Sequence, residues 1–201
     1  MNGGTLSACR RLFRYGIVAL VLAGTLKLGT GLWIPVKAAL AQELLEVAWS
    51  DTRAGQAEAR PWPWADTRPM ARLWVPRLGL DWIVLSGASG RNLAFAPSHM
   101  DGSAALGERG VSVIAGHRDT HFAVLEKLEL GDRIEVEQPD GSLLGYRIAA
   151  IEIVDTERAR LRLDADRPML VLVTCYPFDA VTSGSPLRYV VTAEREMLQP
   201  T

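Results

Sequence analysis

Between positions 71 and 193 the chain is written in short apolar or alternating runs: 71–75, 81–85, 111–115, 133–137, 146–154, 169–174 and 189–193. Runs of this length, rich in Val, Ile, Leu and Tyr, predict β-strands, and their number without long intervening helices predicts an all-β, closed barrel. Gly131-Asp132 and Pro139-Asp140-Gly141-Ser142 are turn signals, the second joining two strands as a hairpin. Helix in this part is expected only as a turn over 122–128 and a shorter one over 92–97.

Ahead of the strands the pattern changes. Tyr15 to Val36 carries a single charge, Lys27, and as a helix would span roughly 33 Å, enough to cross a bilayer. Lys27 near its centre costs about 3 kcal/mol, against roughly 3 to 6 kcal/mol returned by its Leu, Ile and Val residues. Arg10, Arg11 and Arg14 precede the span, while Lys37 follows beside Glu43 and Glu46, so the positive-inside rule leaves the N-terminus in the cytoplasm. A cleavable signal is the competing reading, with Ala39-Leu40-Ala41 as a small-x-small site. That site lies well past the short apolar core, a spacing that suits a retained anchor better.

From 38 to 49 the residues Leu40, Leu44, Val47 and Ala48 recur at helical spacing, which predicts a stalk helix lying against the domain or the membrane surface. Pro61-Trp62-Pro63-Trp64 then forbids regular helix or central strand, so 51–70 is expected to be a linker, with Trp62 and Trp64 packing on the barrel. The 201 residues thus fit one domain with an N-terminal extension. A formal net charge of −1 and the lack of a basic stripe argue against nucleic acid as a partner.

The chemistry concentrates at strand ends. Cys175 closes the run Met169-Leu170-Val171-Leu172-Val173-Thr174 just before Tyr176-Pro177-Phe178-Asp179. His117 follows the run Val111-Ser112-Val113-Ile114-Ala115 after Gly116, and Arg188 opens Tyr189-Val190-Val191-Thr192. A thiol that attacks an acyl group needs a base or cationic partner and a donor for the developing oxyanion, which an imidazole and a guanidinium supply. Cys9 and Cys175 would stand on opposite sides of a membrane and cannot pair, leaving Cys175 as a free thiol. Histidine before cysteine excludes a papain-like order, and a caspase signature is absent around Cys175.

These residues resemble the sortases, membrane-anchored cysteine transpeptidases with a Thr-Leu-x-Thr-Cys motif; here it reads Val171-Leu172-Val173-Thr174-Cys175, valine replacing the first threonine. Ala115-Gly116-His117-Arg118-Asp119-Thr120-His121-Phe122 and the segment from Leu172 to Phe178 are most similar to the sortases of Gram-negative bacteria. The resemblance implies an eight-stranded barrel; the missing strand is expected near 76–80 or Leu161. It implies Cys175 as nucleophile, His117 as general acid and base, and Arg188 as oxyanion or carbonyl donor; the Thr174 hydroxyl is expected to orient substrate or thiol, beside the plainer reading of a threonine placed for β-propensity. It also implies a protein substrate with a Leu-Pro-x-Thr-Gly-type C-terminal sorting signal and an amine acceptor of unspecified identity. The expected organisation is a cytoplasmic 1–14, a transmembrane anchor at 15–36 in contact with lipid, a stalk and linker at 37–69, and a periplasmic catalytic domain at 70–201, held at the inner membrane.

No cofactor or metal is expected. His117 and His121 share a loop rather than a helix face, and His99 in Pro97-Ser98-His99-Met100 reads as a loop histidine. Two further readings are another envelope cysteine peptidase and a non-enzymatic, membrane-tethered barrel that holds a partner.

Overall fold

The computed structural model describes residues 3–56, 58–160, 162–180, 182 and 184–196. The chain falls into two compact units, 1–42 and 43–201. The first is helical over its described residues and forms part of a helix, α1, running Gly3–Arg53. The expected span 15–36 lies within this helix, but its side chains at 19, 23 and 26–35 lie outside the described residues. Among those described, no helix is long and apolar enough to cross a membrane.

The second unit is a closed eight-stranded barrel. Its strands are β1 (Pro69–Val75), β2 (Leu80–Ser86), β3 (Ser98–His99), β4 (Gly110–Ala115), β5 (Arg133–Glu137), β6 (Leu143–Asp155), β7 (Pro168–Cys175) and β8 (Leu187–Arg195), closed in the order β1-β2-β3-β4-β7-β8-β6-β5. All the expected strands are present. The remaining one is β3, not 76–80 or Leu161: Pro76–Leu78 forms a 3₁₀ turn, and Leu161 lies outside the described residues. His99 is accordingly a strand residue rather than a loop one, parallel to Ser86 of β2 and antiparallel to Ile114 of β4.

Alternation decides what enters the core. Ala71, Leu73 and Val75 of β1, Ile134 and Val136 of β5, Leu144, Tyr146 and Ile148 of β6, and Val191 and Ala193 of β8 meet inside the barrel. Phe122 plugs the same core from the 3₁₀ turn His121–Lys127, its ring tilted 5.6 Å from that of Trp82. At roughly 25 cal/mol per Å2 of buried apolar surface, each such large side chain contributes about 1.5 to 3 kcal/mol, so closing the cylinder is the main driving force.

The last turns of α1 belong to the barrel unit. Leu45 and Trp49 pack on Ile83, Leu85 and Ala96, and ion pairs join Arg53 to Glu137 and Glu46 to Arg72. Of the expected stripe Ala48 is buried, but Leu40 and Val47 are exposed, and Leu45 and Trp49 are buried instead. The segment after the helix is strapped down rather than loose, with Trp62 edge-on to Phe95 at 4.8 Å and the Thr67 hydroxyl donating to the Ser86 carbonyl at 2.7 Å. Trp64, expected to pack on the barrel, is exposed.

Candidate active site

Two-residue periodicity turns Leu170 and Leu172 of β7 inward, which leaves Val171, Val173 and Cys175 on the outer face. In β8 the same rule sends Tyr189, Val191 and Ala193 inward and Arg188 and Val190 outward. The antiparallel register sets Cys175 opposite Arg188 and Val173 opposite Val190. Side chains directly opposed in this way have Cβ atoms about 4.5–5.5 Å apart. Thiol and guanidinium are therefore neighbours because of the ladder, and both are partly exposed.

The imidazole arrives from the other side. β4 runs parallel to β7, and its last pair is Ala115 with Val173. Two hydrogen bonds then carry the contact beyond the ladder: the Gly116 N–H donates to the Val173 carbonyl at 3.2 Å, and the buried Thr174 hydroxyl donates to the Gly116 carbonyl at 2.7 Å. His117 is the next residue, exposed where β7 ends in Cys175, and its carbonyl accepts from the Phe122 N–H at 3.0 Å. The Thr174 hydroxyl is thus committed to the backbone that carries His117.

A groove of about 460 Å3 lies on this outer face. Val113, Ala115, Val173 and Val190 contribute to its wall, with Cys175 and Arg188 as its reactive and charged members. Gly116 and Thr174 also line it; His117 does not. Arg188 is anchored through Nη1, which donates to the carbonyls of Ser185 at 2.7 Å and Leu187 at 2.9 Å. The wall is mostly aliphatic and so suits an apolar segment of a ligand.

A second, more open cleft of about 530 Å3 is lined by Glu126, Tyr176, Pro177, Phe178 and Asp179. Tyr176, Phe178 and Tyr189 form an aromatic cluster, with ring centroids 5.0 to 6.2 Å apart. Burial raises the Tyr189 phenol above its ordinary pKa, with Glu126 and Tyr176 adding to the effect. Half-buried His121 has its pKa held below the ordinary imidazole value, by burial first and then by the charge of nearby His117.

Two residues at the site were not singled out from the sequence. Arg118 is 8 % exposed and donates to three backbone carbonyls of the loop after Cys175, those of Pro177, Ala180 and Thr182. Gly116 is tight against Phe122: a Cβ there would fall 2.6 Å from the ring. A glycine ahead of the histidine and an arginine behind it were the available signals. The Asp119 carboxylate accepts from Arg118 Nε at 3.1 Å. His99, buried in β3, has Nε2 2.9 Å from the Ala104 carbonyl and 3.1 Å from the Ser103 hydroxyl. Among the described residues, no cluster of His, Cys, Asp or Glu is arranged to hold a metal ion.

Residues 73–196 match the family model described as Sortase domain. The chain is 31% identical over 124 residues to Sortase D of Bacillus subtilis (strain 168), an alignment covering 61% of this chain and 62% of that protein. It therefore spans less than two thirds of that relative's length. Among solved structures, Sortase A from Corynebacterium diphtheriae is similar with a TM-score of 0.60 and 24% identity over 81% of this chain and 86% of that one. A Clostridium perfringens Sortase D5 transpeptidase has a TM-score of 0.61 and 21% identity over 79% and 99% of the two chains. At these identities the structural likeness shows the fold.

Proposed function

The chain belongs to the sortase family, and from that premise we propose that it is a membrane-anchored cysteine transpeptidase acting on a protein with a Leu-Pro-x-Thr-Gly-like C-terminal signal. The observation that carries this reading is the register: Cys175 lies opposite Arg188 while the parallel β4–β7 ladder delivers His117 to the end of β7.

In this mechanism the Cys175 thiolate adds to the threonyl carbonyl carbon, and the negative charge that forms on oxygen meets the Arg188 guanidinium. With Nη1 anchored by two carbonyls, the rest of that planar fork can serve a carbonyl oxygen, and its permanent charge makes it a poor base. As the peptide C–N bond breaks, His117 gives its proton to the departing amine, leaving a thioester on Cys175. An incoming primary amine then loses a proton to His117 and attacks the thioester, forming a new amide and returning the thiolate. The aliphatic groove supports a signal that begins with leucine and proline. Thr174 acts here by holding Gly116, and through it His117.

The membrane reading is supported by the apolar span 15–36 behind Arg10, Arg11 and Arg14. With 1–14 cytoplasmic, 37–69 as stalk and linker, and 70–201 as the catalytic domain, the site would lie in the periplasm. The Gram-negative assignment is supported by the strings around His117 and Cys175. Carbonate-washed membranes test retention, and protease added to spheroplasts tests sidedness; release by carbonate refutes the anchor.

The activity is tested with the full chain in detergent, a Leu-Pro-x-Thr-Gly peptide library and an amine acceptor, read by intact mass. An adduct on Cys175 with cleavage after threonine is expected. If the folded wild type is as silent as Cys175→Ala, a tethered barrel without catalysis replaces this reading. If it acts only on peptidoglycan peptides, a different envelope cysteine peptidase does.

A further inference from the structure

Arg118 stands out among the charged residues of the barrel unit. It is 8 % exposed, and among the described residues its only charged partner is the exposed Asp119, at 3.1 Å from Nε. Its other donors go to backbone: Nη1 to the Pro177 carbonyl at 2.9 Å, and Nη2 to those of Ala180 at 2.6 Å and Thr182 at 3.2 Å. A buried guanidinium is tolerated when its donors are satisfied, and here neutral carbonyls of a single loop do most of that. That loop begins one residue after Cys175.

His117 and Arg118 are consecutive, yet one is exposed and the other buried, so their side chains leave the backbone in different directions. Upstream, Gly116 is fixed to β7 through Val173 and Thr174; downstream, the Phe122 N–H holds the His117 carbonyl. The remaining freedom is rotation of the short segment between these anchors, and the Arg118 side chain restricts it by gripping the loop from 177 to 182.

We propose that Arg118 is a positioning residue that locks the His117 imidazole to the course of the loop after Cys175, so that base and nucleophile keep their mutual placement through both half-reactions. The proposal rests on the roles given above to His117 and Cys175.

The test compares Arg118→Gln and Arg118→Lys with wild type in the full chain. Misplacement of a catalytic group by about 1 Å costs ~10²-fold in rate, so kcat for acyl transfer in Arg118→Gln should fall by about that factor while KM changes by less than about threefold. Arg118→Lys, which keeps a charge and some of the donors, should recover part of the loss. In parallel, 13C-histidine spectra should show the His117 ring signals shifted in Arg118→Gln and those of His99 unchanged. A folded Arg118→Gln with wild-type kcat, or with unmoved His117 signals, overturns the proposal. So does a loss confined to KM or to melting temperature, which would make Arg118 a loop staple only. If Arg118→Gln does not fold, the same criteria apply to Arg118→Lys. If wild type forms no acyl-enzyme, the transpeptidase reading fails on its own, and the histidine spectra still decide whether Arg118 sets His117.

Discussion

Adding a single methyl group at Gly116 tests whether close packing behind His117 is needed for the site. The backbone at Gly116 is outside the positive-φ region, so alanine meets no conformational penalty and the effect is one of space. An added Cβ would lie 2.6, 2.7 and 2.9 Å from Cγ, Cδ2 and Cδ1 of Phe122. Ordinary carbon contacts are about 3.5–4.0 Å, so something must move by the order of 1 Å. Phe122 is fully buried against the barrel core and cannot swing out to solvent. Overpacking of this kind costs about 1–3 kcal/mol, which for a protein of this size lowers Tm by roughly 2 to 12 °C. If the strand end yields instead, His117 shifts and acyl transfer slows by up to ~10²-fold. Thermal melting and single-turnover acylation of Gly116→Ala distinguish the two routes. Adding Phe122→Leu makes room, so the double variant should be less damaged than the sum of the singles by at least about 0.5 kcal/mol. A Gly116→Ala protein with both melting and acylation of wild type, or strict additivity with Phe122→Leu, refutes the reasoning.

Cys175→Ala should abolish the acyl adduct while leaving melting nearly unchanged, because the thiol is partly exposed on the outer face; an adduct on the variant places the nucleophile elsewhere. Arg188→Lys keeps the charge but loses the planar fork, and a kcat loss of about 10²–10³-fold is expected if it stabilises the oxyanion; wild-type kcat argues for a salt-bridge or packing role. Thr174→Val leaves the Gly116 carbonyl without its 2.7 Å donor in a buried place, costing about 1–3 kcal/mol in urea unfolding, and an unchanged midpoint would show that a substitute partner is found. For His121 the sign follows from its lowered folded-state pKa. The unfolded chain binds its proton more readily, so this contribution is fully present above about pH 6.5 and is lost as pH falls through the lower folded value. Urea unfolding at about pH 7.5 and 5.5 should show an acid-side loss that His121→Gln reduces; equal losses in both proteins reject that assignment.

Most of the barrel was legible because its strands obey one rule over five or more residues. Leu73 and Val75, or Ile134 and Val136, announce themselves by spacing, since burial on one face demands it. Ser98–His99 has only two residues and thus no period to read; neighbouring strands on both sides create it. In α1, Leu45 and Trp49 are buried because Ile83 and Leu85 offer a surface there, a choice that helical spacing alone did not make between them and Leu40 or Val47. At the site, the thiol, imidazole and guanidinium were legible as residue types at strand ends. Their proximity was not, because Cys175 lies opposite Arg188 through an antiparallel register, while the segment carrying His117 reaches the end of β7 through a parallel one. Arg118 was hidden for a different reason. Apart from Asp119, its partners are backbone carbonyls, and every residue has one.

The parallel β4–β7 ladder also bears on when the proposed site is complete. Ala115 and Val173 are far apart in sequence, with β5 and β6 between them, so their pairing is a high-contact-order event that pays its loop-closure entropy before any reward arrives. Cys175 and Arg188, by contrast, meet across the sequence-adjacent pair β7 and β8. A chain opened locally at β4 would keep Cys175 opposite Arg188 while releasing the segment that carries His117. On the proposed mechanism, acyl transfer is therefore tied to completion of the cylinder.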